Sequence, residues 1–284
     1  LSAVRGFRAP PSGPPEKLSN WDGPLEQALL LFVDLEMTGL LPEQDRVIEL
    51  CAELVRGDEV LARIDSLVRP ECGRFGNERI HGIKAEDLLP APTFAEVLSQ
   101  LEPLLSQAVL VAHGAAFDVV FLRKEAERAG RALELATFLD TLPVARRAFP
   151  FPRHALSELA KTLSLGNERS HRAAGDVATL RRLFSALCAR LKPTCLRDLF
   201  DVGIRPRGPS QAIVEALQAC LSSGSAAKIT YRRTGKPITE GVLSVQKVES
   251  ELDPPVVLGY WLPGRGRIQL RLDRIISVIP SQAG

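Results

Sequence analysis

The segment Ala28–Leu35, reading ALLLFVDL, constrains the fold more than any other part of the chain. It opens with six consecutive apolar residues, Ala28 to Val33, far short of the roughly 20 that a membrane-spanning helix needs. Such a run lacks the alternation of a half-exposed strand. It suits a strand buried on both faces, at the centre of a sheet covered by helices. The run then ends in acid, at Asp34 and Glu36.

The flanking sequence extends that sheet. Val47–Val55 and Glu59–Val68 read as two strands joined by the turn Arg56-Gly57-Asp58. Thr93 and Glu96 have capping-box spacing, and Phe94, Val97, Leu98, Leu101 and Leu105 follow on one helical face. Val109–Ala112 reads as a strand, Phe117–Ala129 as a helix and Ala136–Leu139 as a fifth strand. Helices near Leu156–Leu163 and Ala173–Leu191 close the region. Strands first, then alternating helix and strand, predict an α/β unit: a mixed five-stranded sheet with flanking helices. Residues 1–22, rich in Pro, Ser and Gly, are expected to form a flexible arm before this domain at 23–191. Pro193, Gly203, Pro206, Gly208 and Pro209 predict a linker over 192–210. In 211–284, Ile213–Leu221 reads as a short helix, and KITYRR, GVLSVQKVE, VVLGYWL and RIQLRLDRI read as strands of a small β-rich domain. Their turns fall at Thr234-Gly235-Lys236, Pro254-Pro255 and Pro263-Gly264.

The net charge is only +2, but residues 191–284 carry 13 Lys/Arg against 8 Asp/Glu, leaving 23 against 26 in the first 190. An acidic catalytic module with a more basic attachment, or a chance difference of surface, accounts for this equally well. The cysteines are Cys51, Cys72, Cys188, Cys195 and Cys220. Their odd number and the lack of C-x-x-C spacing argue against disulfides and structural zinc. With no apolar signal core at the N-terminus, a cytoplasmic location without membrane attachment is expected.

Asp34 and Glu36 are two residues apart on one strand, so both side chains emerge on one face. Adjacent carboxylates losing hydration repel unless one is protonated or a cation lies between them. A hard divalent ion, Mg²⁺ or Mn²⁺, resolves the conflict. For this pair alone, two solvated groups at an exposed strand end is the simpler reading. Asp176 changes the balance: it lies four residues before Leu180 on the stripe Leu180, Leu183, Leu187, Leu191. A carboxylate on a core-facing stripe is costly unless paired or ligated, and Arg172 is the alternative partner. Asp118 starts the helix after the strand that ends near His113, a position that also suits an ordinary helix-start carboxylate. His171, five residues before Asp176, has the chemistry of a general base or of an unremarked surface residue.

FVDLEMTGL, HGAAFDVVFL and HRAAGD, in that order, resemble the three motifs of the DEDDh, DnaQ-like 3′-to-5′ exonuclease family. DLEMTGLLPEQDRVIEL also resembles oligoribonuclease, whereas RIHGIKAEDLLPAPTFAEV, LVAHGAAFD and FLDTLPVARRAFP resemble the branch containing proofreading epsilon subunits. The resemblance spans about residues 27–190 and implies a ribonuclease H-like fold. It implies two divalent ions, the first held by Asp34, Glu36 and Asp176 and the second by Asp34 and Asp118. His171 would accept the proton of the attacking water, and a nucleoside 5′-monophosphate would leave from the 3′ end of single-stranded nucleic acid. Met37, Thr38, Ile80, His81 and Phe117 match positions around the terminal nucleotide, although Phe117 also suits a core. Gly114 stands where the family usually has Asn. That removes a side-chain hydrogen bond near the substrate but no metal ligand.

Residues 227–277 resemble, more weakly, a WYL domain, with Tyr260-Trp261-Leu262 in changed order. That resemblance implies ligand or nucleic-acid binding, with Arg232, Arg233, Arg271 and Arg274 gripping phosphates and Tyr231 and Trp261 stacking on bases. The equal alternative is that the aromatics are core and the arginines form surface pairs. As a whole the chain is expected to be a DNA-favouring exonuclease serving a polymerase or repair partner in trans. The competing readings are an RNA-trimming exoribonuclease and a non-catalytic nucleic-acid-binding or ligand-sensing regulator. Retention of all five site residues argues against the regulator.

Overall fold

The structure, a computed structural model, describes residues 12–13, 15, 19–71, 73–76, 78–166, 172–204, 211–232, 238–250, 255–264 and 266–281. The chain divides into two compact units, Leu1–Ile204 and Arg205–Gly284.

The first unit opens with one helical turn, α1 (Ser19–Asp22), followed by the strands β1 (Leu29–Met37), β2 (Val47–Arg56) and β3 (Glu59–Leu67). After the short helices α2 (Glu78–His81) and α3 (Ala85–Leu88) come α4 (Phe94–Gln107), β4 (Val109–Ala112), α5 (Ala115–Arg128) and β5 (Leu139–Asp140). The helices α6 (Thr141–Ala148), α7 (Leu156–Thr162), α8 (Ala173–Leu191) and α9 (Leu196–Ile204) complete it. The five strands form a mixed sheet in the order β3-β2-β1-β4-β5. β1 is antiparallel to β2 and parallel to β4. As its unbroken apolar run requires, β1 is central and covered on both sides. Leu30 and Phe32 join one cluster with Val177, Leu180, Phe184 and Leu187 of α8. Leu31, Val33 and Leu35 join the other, with Phe94 and Leu98 of α4 and Phe121 and Leu122 of α5. The period of two thus divides β1 between two cores and directs Asp34 and Glu36 to the α8 side.

Three expectations need correction. Residues 196–204 lie within the expected linker, yet they form α9. Leu196, Leu199 and Phe200 are buried in the α8-side core, each worth about 1.5–3 kcal/mol of burial, which outweighs the nearby Pro and Gly. The expected arm 1–22 is likewise seated at its end. Trp21 is 3% exposed and packs edge-on against Phe200 at 5.6 Å, and Arg197 pairs with Asp22. Finally, only Leu139 and Asp140 pair as a strand where 136–139 was expected. Ala136 and Phe138 instead bond Gly13 and Ser12, at 2.8 and 2.9 Å.

The second unit packs α10 (Gln211–Ser223) on an antiparallel sheet of β6 (Ala226–Arg232), β7 (Ile238–Glu249), β8 (Val256–Leu262), β9 (Gly266–Arg271) and β10 (Ile275–Ser281). The order is β10-β6-β7-β8-β9. A 3-10 turn at Leu272–Arg274 breaks the expected strand 267–275, so its end crosses to the opposite edge. Tyr231 is core, 7% exposed, so it offers no ring face for stacking on a base. Trp261 packs against the same cluster, where a Cβ at Gly241 would collide with its indole. Arg271 forks onto Asp273 at 2.9 Å for both bonds. Arg274 lies half-buried in the 3-10 turn. Arg233, the turn 234–236, Pro254 and Cys72 lie outside the described residues, as does the Arg232 side chain. No helix among the described residues is long and apolar enough to cross a membrane.

Candidate active site

Asp34 and Glu36 follow Phe32 on the β1 face that meets α8, and Asp176 lies in the first turn of α8. The helix therefore returns a third carboxylate to the strand. One ligand oxygen from each of Asp34, Glu36 and Asp176 lies within 4.8 Å of the other two. Asp118, in the first turn of α5 in the opposite layer, is 8% exposed, and its charge is felt at Asp34. His171 lies outside the described residues.

The electrostatics are those of crowded acid. Burial raises the Asp34 carboxyl well above its ordinary range, and the charges of Asp118, Asp176, Glu36 and Glu49 raise it further. Burial, then Asp176 and Glu49, push Glu36 up to about 7, against a lowering by Arg172. Burial also pushes Asp118 up to about 8, with Asp140 and Glu36 adding to it. An all-oxygen, multiply acidic donor set of this kind fits a hard divalent cation. In metal-free protein the folded state holds protons that the unfolded chain has released, from about pH 4 up to about 8. Stability of the metal-free protein therefore falls as pH rises through that window. Melting curves in chelator should drop between pH 5.5 and 8.5, and Mg²⁺ should raise the midpoint more at the higher pH. A pH-independent increment would contradict this assignment of charge.

The residues expected around a terminal nucleotide converge in part. Thr38 donates to Asp45 Oδ1 at 3.2 Å and accepts from the Arg46 N–H at 3.0 Å, which folds the loop after β1 back on itself. His81 is 4% exposed, and its Nδ1 accepts from the Ile83 N–H at 3.0 Å, placing the proton on Nε2. That buried Nε2 has no hydrogen-bond partner among the described residues. Gly76, at φ +82°, links the two: a Cβ there would come within 3.0 Å of both His81 Nε2 and Thr38 Cα. Met37 and Phe117 pack partly into the α5-side core, and Phe117 tilts on Phe121 at 5.1 Å. Ile80 lies in α2.

Sequence reading missed the supports. Glu125 is 1% exposed and accepts from Arg46 Nε at 2.7 Å and Nη2 at 2.8 Å, from the Val47 N–H at 3.2 Å and from Arg128 at 3.2 Å. Arg128 also donates to the carbonyls of Asp45 and Pro42, so α5 holds the 38–46 loop. Asp140 accepts from the Leu142 N–H at 2.9 Å, capping α6, and from the Gly114 N–H at 2.8 Å. Gly114 itself has φ +84° and ψ +34°, the left-handed region that glycine and asparagine tolerate best. Glycine in place of the family's usual Asn therefore keeps the backbone geometry at the start of α5. Glu49, 2% exposed, accepts a fork from Arg172, at 2.6 Å to Nη2 and 2.9 Å to Nε. Arg172, which spacing also offers to Asp176, thus bonds Glu49 through both Nε and Nη2.

A mixed sheet whose central strand and one covering helix bring three carboxylate oxygens within 4.8 Å of one another, with a further buried carboxylate at the start of a helix on the other face, defines a nuclease of ribonuclease H-like fold. The Exonuclease (RNase T) family model matches residues 31–184, more than half of the chain. The chain belongs to the DnaQ-like DEDDh 3′-to-5′ exonuclease family of hydrolases. It is 33% identical over 166 residues to the DNA polymerase III subunit epsilon of Rickettsia typhi, covering 55% of this chain and 72% of that one. The PolC-type DNA polymerase III of Thermotoga petrophila is 28% identical over 185 residues, 64% of this chain. The match spans only 11–14% of the length of such PolC-type relatives. In fold, the chain is similar to the zinc-bound complex of E. coli exonuclease I with single-stranded DNA. The TM-score is 0.53 at 16% identity, over 90% of this chain and 65% of that one. The family match ends before the C-terminal sheet, so the resemblance of residues 227–277 to a WYL domain gains no support.

Proposed function

We propose that this chain removes nucleotides one at a time from the 3′ end of single-stranded nucleic acid, with DNA favoured over RNA, releasing nucleoside 5′-monophosphates. The observation that carries the reading is the trio Asp34, Glu36 and Asp176 with oxygens within 4.8 Å, charges that repel unless cations offset them. Asp34, Glu36 and Asp176 hold one Mg²⁺ or Mn²⁺, and Asp34 and Asp118 a second. Bound there, the ions supply positive charge to the scissile phosphate and to the groups that attack and leave. His171 takes the proton of the attacking water. Thr38 and His81, held beside Gly76, and Met37, Ile80 and Phe117 receive the terminal nucleotide.

The preference for DNA is supported by relatives named as DNA polymerase III proteins and by a structural neighbour complexed with single-stranded DNA. The epsilon relative is a polymerase subunit by name, which supports a polymerase partner in trans.

The test is incubation with 5′-labelled single-stranded DNA and RNA in Mg²⁺, Mn²⁺ or chelator. The expected result is a ladder shortening from the 3′ end, faster on DNA and absent in chelator. Faster loss of RNA would move the assignment to RNA trimming. Inertness on both strands with metal present would leave a non-catalytic binder.

A further inference from the structure

We propose that Glu49 and Arg172 are positioning residues that set the affinity of the carboxylate trio for its cation; this rests on the metal-binding reading given under the proposed function. Glu36 and Glu49 are paired directly across the β1–β2 ladder, so their side chains share the face that meets α8. Like charges so placed repel, and a free Glu49 would compete for the cation. Its carboxylate is instead fully engaged. Oε1 accepts from Arg172 Nη2 at 2.6 Å and from Nε at 2.9 Å, and Oε2 accepts from Nε at 3.2 Å and from the Ala173 N–H at 2.9 Å. Ala173 is the first residue of α8 and Arg172 its N-cap. The buried carboxylate therefore ties the start of α8 to β2, one turn before Asp176. The Asp176 N–H in turn donates to the Arg172 carbonyl at 3.0 Å. The distance between Asp176 and the β1 carboxylates is thus set by a bidentate bond that ends on the strand next to β1. A guanidinium supplies the planar fork that this geometry uses; an ammonium does not.

Charge and position make opposite predictions at Arg172. As a mere neighbouring cation, Arg172 would repel a bound metal, and Arg172→Gln would tighten binding. As a positioning residue, its loss lets the first turn of α8 shift, and Arg172→Gln should weaken binding about 10–100-fold, the range typical of groups that orient metal ligands. Mn²⁺ affinity of the full chain should be measured by electron paramagnetic resonance and calorimetry, without substrate. Arg172→Lys keeps the charge and loses the fork, so it should bind several-fold more weakly than wild type, between wild type and Arg172→Gln. Glu49→Gln combined with Arg172→Gln should be no weaker than Arg172→Gln alone, because one linkage is broken in both. Equal or tighter Mn²⁺ binding by Arg172→Gln, or wild-type affinity in Arg172→Lys, would overturn the proposal. Should Arg172→Gln fail to fold, Arg172→Lys alone decides. A wild-type chain that binds no Mn²⁺ would instead remove the metal reading itself, which separates the two failures.

Discussion

Asp34→Ala should lower turnover by on the order of 10³-fold or more while leaving the chain folded. Asp34 is the residue shared by both proposed ion positions, and charge stabilisation by a bound metal is worth several kcal/mol in a phosphoryl-transfer transition state, at ~1.4 kcal/mol per factor of ten. Its carboxyl is also the most crowded of the cluster, opposed by burial and by Asp118, Asp176, Glu36 and Glu49. Removing it relieves repulsion that the folded state otherwise carries. In chelator at pH 8 the variant should therefore melt at or above the wild-type temperature, and its gain on adding Mg²⁺ should shrink. Single-turnover rates on labelled single-stranded DNA, together with melting curves, check both halves. Activity within a few-fold of wild type would remove Asp34 from the catalytic assignment.

The largest stability effect is expected outside the carboxylate trio. Glu125→Ala should destabilise the first unit by about 3–5 kcal/mol, the usual cost of stranding one member of a buried ion pair. Arg46 is 8% exposed, and its guanidinium ends on Glu125 at 2.7 and 2.8 Å. The variant leaves Arg46 only the exposed Glu71, at 3.5 Å, and strands the Val47 N–H. Replacing Arg46 by Met and Glu125 by Leu in one chain should recover part of the loss, since no charge is then left buried. Urea unfolding followed by Trp21 fluorescence in a Trp261→Phe background reads the first unit alone, because the chain has two tryptophans. Arg46 and Arg128 also hold the 38–46 loop. The single variant should accordingly raise KM for the 3′ end more than it lowers kcat. A loss below 1 kcal/mol would mean that Glu71 or water takes over Arg46 when Glu125 is removed.

The convergence of Asp34, Glu36 and Asp176 is legible in the order of residues. Asp34 and Glu36 share a face because strand side chains alternate, and Asp176 points at the sheet because it continues the stripe of Leu180 and Leu187. Both are local periodicities, carried by a few consecutive residues. The supports were illegible for the opposite reason. Glu49 and Arg172 are 123 residues apart, and Arg46 and Glu125 are 79 apart. Each alone reads as an ordinary surface charge. α9 was passed over because Pro and Gly nearby outweighed the spacing of Leu196, Leu199 and Phe200, a short amphipathic signal that gains meaning only once Trp21 is there to meet it. Tyr231 reads equally as core or as a stacking platform because the order of residues in a strand does not say which face another element covers.

Local order along the chain therefore determined the central strand, its two buried faces and the carboxylates that emerge at its end. Those follow from alternation and helical repeat, which act between near neighbours. Tertiary structure alone decided which distant charge neutralises which: Glu49 is taken up by Arg172 and Glu125 by Arg46, while Asp34, Glu36 and Asp176 converge. A buried charge is tolerable only beside its partner, and the identity of that partner is set by the packing of α8 against β2 and of α5 against the loop that leads into β2.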